Sequence, residues 1–105
     1  MPDEGIGVID KVDTDSEEKV DKPKMYNVVM HNDDFTPHII PVMVLTQVFK
    51  KTQAQAVEIM LHVHNNGIGI CGVYSKDIAE TKQTQSMDMA KEMQCALLLT
   101  VEPDE

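Results

Sequence analysis

The chain has 105 residues, 42% hydrophobic and 26% charged, the size and balance of one globular domain with a modest core. It carries 18 acids, no arginine and a net charge of −9, which excludes the cationic surface that nucleic-acid binding needs. No apolar run approaches the ~20 residues of a membrane-crossing helix, and Met1-Pro2-Asp3-Glu4 opens no apolar signal core, so a cytoplasmic protein is expected.

The charge is uneven. Residues 1–24 hold eight acids and four lysines, with Pro2, Gly5, Gly7 and Pro23 interrupting any pattern. A flexible acidic tail is expected there, followed by a core over 25–102 and an acidic end at 103–105. Met25 to His31 alternates and is β-rich, which predicts a first strand. Asn32-Asp33-Asp34-Phe35-Thr36-Pro37 reads as a turn into a helix, with Thr36 at the N-cap and Pro37 at the first helical position. That helix is expected to run to about Phe49, although Pro41 removes an amide just as the intrahelical bonds begin.

Thr52-Gln53-Ala54-Gln55 matches a capping box, predicting a second helix from Gln53 to about Asn65, stopped by Asn66-Gly67. Ile68 to Tyr74 is a second strand, whose Gly69 and Gly72 point to a close backbone approach or a bulge. Ser75 caps a third helix over roughly 76–93, and Ala96 to Val101 forms the last strand. The order β-α-α-β-α-β defines an α+β fold, three antiparallel strands packed against three helices.

Asn32-Asp33-Asp34 is the first candidate for chemistry, although such triplets commonly serve only their own turn. In the second helix Val57, Met60, Leu61 and His64 recur at helical spacing, which places His64 on the inward face. If the helix end meets the acidic turn, an amide oxygen, a carboxylate and an imidazole converge as a receptor for an ammonium group. A metal site is the rival, since His31, His38, His62 and His64 accompany two aspartates. His62 and His64 lie ~200° apart on a helix, His31 points away from Met30's side of its strand, and no metal-ligand motif occurs. No metal is therefore expected. A catalytic Asp–His pair lacks an evident nucleophile. Cys71 and Cys95 have no metal-ligand spacing and read as reduced core thiols. The chain's eight methionines are read mostly as core, with Met60 one turn before His64.

These segments resemble a known family. Met25-Tyr26-Asn27-Val28-Val29 followed by Asn32-Asp33-Asp34-Phe35-Thr36-Pro37 is similar to the opening of ClpS-type N-end-rule adaptors. Met60-Leu61-His62-Val63-His64-Asn65-Asn66-Gly67, Cys71-Gly72-Val73-Tyr74 and Ala79-Glu80-Thr81-Lys82 resemble the segments that follow in that family, and the likeness covers about residues 25–101. The resemblance implies an adaptor without catalytic activity or cofactor that hands substrates to a ClpA/ClpC-type AAA+ unfoldase; nothing in the sequence points to an oligomer, so a monomer is expected. It implies that Asn32, Asp33, Asp34 and His64 hold a substrate's free α-amine. It implies a pocket of Met30, His31, Thr36, His38, Pro41, Met60, Val63 and Leu97 for a first residue Phe, Tyr, Trp or Leu. It further implies that Asp77, Glu80, Thr81 and Lys82 face the unfoldase N-domain, and that the tail assists delivery. His38 replaces the family's usual methionine, and His31 and Pro41 replace apolar, non-proline residues. An interaction domain of the ribosomal-stalk type is the alternative of similar shape, and a metal-dependent hydrolase a third reading.

Overall fold

Residues 23–105 are described by a computed structural model. The tail expected over 1–24 therefore lies, but for its last two residues, outside the described part. Strand β1 is Tyr26–His31, helix α1 Ile39–Gln47, helix α2 Gln53–Asn66, strand β2 Ile68–Tyr74, helix α3 Lys76–Glu92 and strand β3 Leu99–Pro103. The strands form one antiparallel sheet in the order β2-β1-β3, so the first strand in the chain is the central one.

Alternation along β1 sends Val28 and Met30 into the helix-covered core, where both are fully buried with Cys71 and Leu99 from the flanking strands. The register on β2 slips between Val28 and Val29, which pair with Gly72 and Ile70 and leave Cys71 as the extra residue of a bulge. Burial raises the Cys71 thiol to about 12, so it stays protonated and unreactive. Both cysteines are free, and Cys95 is only partly buried.

The two strand glycines act separately. A Cβ on Gly69 would meet Val63 Cγ2 at 2.7 Å, so glycine there lets α2 sit directly against β2. A Cβ on Gly72 would strike the Tyr74 ring, which folds back over it. On α3 the buried residues are Ala79, Ser86 and Ala90, small side chains that let the helix approach the sheet closely. Gln83 Nε2 also donates to the Leu99 carbonyl of β3 at 2.8 Å.

The capping box forms as expected: Thr52 Oγ1 accepts from the Gln55 amide at 3.1 Å, and Gln55 Oε1 from the Thr52 amide at 3.0 Å. Gly67 ends α2 at φ 91°, a conformation suited to glycine. Helix α3 ends in a Schellman arrangement around Gln94 at φ 62°, with the Cys95 amide donating to the Ala90 carbonyl at 2.9 Å.

Two boundaries and one helix face differ most from expectation. Helix α1 starts at Ile39 with His38 at its N-cap, because Thr36 turns its hydroxyl to Asp33 instead of capping. Pro41 is then the third helical residue, whose amide would have no intrahelical acceptor, and the proline is harmless there. Strand β3 spans Leu99–Pro103, since pairing with Tyr26–Met30 sets its limits; Pro103 belongs to it, and the Asp104 amide donates to the Met25 carbonyl at 2.9 Å. The inward residues of α2 are Ala56, Met60 and Val63. Leu61 is 45% exposed, so the buried stripe is rotated by one position, about 100°, and His64 lies at its exposed edge.

Candidate binding recess

The turn after β1 is built by its own side chains. Asp33 Oδ1 accepts from the Phe35 amide at 3.1 Å, and Asp33 Oδ2 from the buried Thr36 hydroxyl at 2.6 Å. The Thr36 hydroxyl, then the Phe35 amide, hold the Asp33 carboxyl below its ordinary 3.8, against a weaker opposing effect of burial. Both oxygens thus have partners within the turn, and Asp33 shapes the loop.

Asn32 and Asp34 stand differently. Asn32 Nδ2 donates to Asp34 Oδ1 at 2.9 Å, which leaves the Asn32 carbonyl and the second Asp34 oxygen as acceptors at the surface. The Asn32 amide donates to the Gly67 carbonyl at 2.8 Å, pinning the turn to the C-terminal end of α2. That bond brings the acidic turn beside the last turn of α2, which carries His64.

Between the turn, α1 and α2 lies a recess lined by Met30, His31, Asn32, Asp33, Thr36, His38, Pro41, Met60, Val63, His64 and Leu97. Its apolar part, Met30, Met60, Val63 and Leu97, is buried. All eight side-chain positions expected from the sequence line it, with three of the four amine-site residues. Asp34 does not line it and joins through Asn32. The mouth is nearly shut: the His38 and His64 rings meet edge-on, 5.0 Å between centroids. The open space is about 20 Å³, room for about one water. The His31 ring is engaged elsewhere, its Nε2 2.9 Å from Thr100 Oγ1 on β3.

The second predicted surface divides. Asp77, Glu80 and Thr81 line a shallow face on the first turns of α3 with Thr84 and Gln85. Lys82 is turned inward. Its Nζ donates to the Val48 carbonyl at 2.8 Å and lies 5.8 Å over the Phe49 ring and 5.3 Å over that of Tyr74. Phe35, 95% exposed at the apex of the turn, was missed as a surface feature; its only sequence signal is an aromatic residue amid polar turn residues.

Among the described residues no group of three or more His, Cys, Asp or Glu could hold a metal ion, and no helix is long and apolar enough to cross a membrane. What the fold and recess define is a small α+β binding domain, with an apolar recess rimmed by hydrogen-bond acceptors.

Comparison with known proteins carries this further. Residues 21–100 match the family described as ATP-dependent Clp protease adaptor protein ClpS, and the chain belongs to that family. The ATP-dependent Clp protease adapter protein ClpS of Phenylobacterium zucineum is 47% identical over 102 residues, covering 97% of this chain and 94% of the relative. The protein of that name from Gluconobacter oxydans is 51% identical over 83 residues, 79% of this chain and 70% of the relative. Agrobacterium tumefaciens ClpS2 bound to L-phenylalaninamide has a similar structure, with a TM-score of 0.77 and 36% identity over 79% of this chain and all of that one. Membership makes this protein a protease adaptor, in preference to a stalk-like interaction module or a metal hydrolase.

Proposed function

We propose that the recess receives the first residue of a substrate polypeptide and that the adaptor delivers that substrate to a ClpA/ClpC-type AAA+ unfoldase. The observation that carries this reading is the meeting of unused acceptors with an apolar floor. The Asn32 carbonyl, the second Asp34 oxygen and a His64 ring nitrogen accept from a free ammonium, while Met30, Met60, Val63 and Leu97 receive the side chain. Asp33 keeps the loop in shape without binding the amine itself. An internal or acetylated residue cannot satisfy those acceptors, and leaving them desolvated penalises it. The compound bound to the Agrobacterium relative fits the same logic, being an aromatic residue with a free α-amine.

A benzyl side chain needs far more room than about 20 Å³, since an apolar cavity of about 150 Å³ is what accommodates benzene. His38 is therefore the movable wall: it leaves the His64 ring when substrate enters. Phe, Tyr or Trp, which can stack on imidazole, should be preferred over Leu. Asp77, Glu80 and Thr81 supply the face toward the unfoldase, and the protein performs no catalysis.

Fluorescence anisotropy with Phe-initiated peptides tests the grip. Asn32→Ala, Asp34→Ala or His64→Ala should each weaken binding roughly ten- to a hundredfold, the loss of a hydrogen bond to a charged group. Acetylated peptides should bind poorly to every version; equal binding of free and acetylated peptides overturns the proposal. His38→Met should raise Leu affinity relative to Phe.

A further inference from the structure

The face of the sheet turned away from the core carries an unexplained apolar strip. Ile68 and Ile70 project from β2 two residues apart, 50% and 53% exposed, on the flank of the sheet. Edge strands are commonly protected by charge, proline or cover, yet these outward positions are aliphatic. With Val29 of β1 and Ile59 of α2 they line a groove of about 510 Å³, separate from the recess and much larger. Two half-exposed isoleucines at the rim of a groove floored by the buried Val29 give an apolar patch of the kind found at interaction sites.

The polar lining indicates what fits. Glu58 of α2 and Glu102 of β3 also line the groove, and no lysine does so among the described residues. Asn27, in register with Glu102, lines it as well. His62 of α2 is also in the lining, with its Nδ1 3.2 Å from Asn66 Nδ2. Two carboxylates against one imidazole around an aliphatic floor favour an occupant rich in donors and positive charge.

We propose that this groove docks an extended segment of a partner protein in which aliphatic side chains alternate with lysine or arginine. The aliphatic residues lie on Ile68, Ile70 and Val29, and the cations reach Glu58 and Glu102. The chain's own residues 1–24 are net acidic, with eight acids against four lysines, and a second copy presents the same two glutamates, so neither complements the groove. The site is independent of the amine grip.

The test uses the full chain and an N-acetylated, C-amidated heptapeptide alternating lysine with valine, which the amine grip cannot hold. Methyl NMR shifts should concentrate at Val29, Ile59, Ile68 and Ile70 and spare the recess. Anisotropy should show binding that weakens with salt. Affinity should fall about tenfold in Glu58→Lys/Glu102→Lys, comparably in Ile70→Thr, and stay unchanged in His64→Ala. Ile70→Thr keeps a β-branched residue at a half-exposed position, and the two charge changes lie at the surface, so a loss of fold would not mimic these results. Equal binding of a glutamate–valine peptide, shifts centred elsewhere, or unchanged affinity in both variants would overturn the proposal. So would concentration-dependent shifts in the free protein, which signify self-association, or cross-peaks between Ile9 and Ile70 without peptide, which seat the chain's own terminus in the groove.

Discussion

The loop beside the recess and the front of α3 both concentrate polar residues, but they use them in opposite ways. At the recess, Asn32 and Asp34 satisfy each other only in part, and acceptors remain at the surface above an apolar floor. At α3, the half-buried Lys82 ammonium donates to the Val48 carbonyl and lies over two aromatic rings, so part of its donor capacity is spent on the fold. The same division separates neighbours in the loop: both Asp33 oxygens hold the turn, whereas Asp34 keeps one free. Binding capacity follows from hydrogen-bond valence left over after folding, and residue type alone does not reveal it.

Three substitutions probe this contrast. The largest effect is expected from Gly69→Ala, whose Cβ would press on Val63 Cγ2 in the buried wall of α2. Overpacking of this kind costs about 1–3 kcal/mol, and pushing α2 off the sheet moves His64 with it. Thermal unfolding and peptide affinity should both deteriorate while the α3 face keeps its unfoldase affinity; an unshifted melting curve would mean that α2 is not seated by this glycine.

Next comes Lys82→Glu. It leaves the Val48 carbonyl without its donor and sets a carboxylate near the electron-rich ring faces. A loss of about 1–2 kcal/mol, roughly 4–16 °C in melting temperature for a domain of this size, should accompany any loss of docking. A variant that docks poorly yet melts as the parent does would show that Lys82 acts at the contact surface.

The smallest effect concerns Asp33. Because its carboxyl is held below 3.8 in the fold, first by Thr36 and then by Phe35, the unfolded chain takes up this proton first on acidification. The contribution to stability is whole above pH 3.8 and disappears as pH falls through the depressed value. Asp33→Ala should remove that acid-dependent component, and should weaken free-amine peptides less than Asp34→Ala does. Equal losses from the two variants would erase the distinction between the carboxylates. Urea unfolding at several pH values and peptide anisotropy read the two outcomes.

Features governed by neighbours in the chain are legible in the sequence by itself. The Thr52–Gln55 box, the Gly67 stop, the order of six elements and the alternation of β1 each depend on residues a few positions apart, so composition and spacing suffice to read them. The membership of the recess is likewise legible through the motifs that the chain shares with its family. Tertiary packing alone decided the rest. Helix α1 begins at Ile39 because Thr36 found Asp33, and β3 extends to Pro103 because β1 pairs with it there. His64 reached the rim because Val63, next to it, took the space beside Gly69. The half-buried Lys82 was bent toward a carbonyl 34 residues away, and His31 was engaged by a threonine 69 residues away. Such choices turn on which groups meet across the folded chain. Local propensities differ by only about 1 kcal/mol, so a single long-range contact is enough to overrule them.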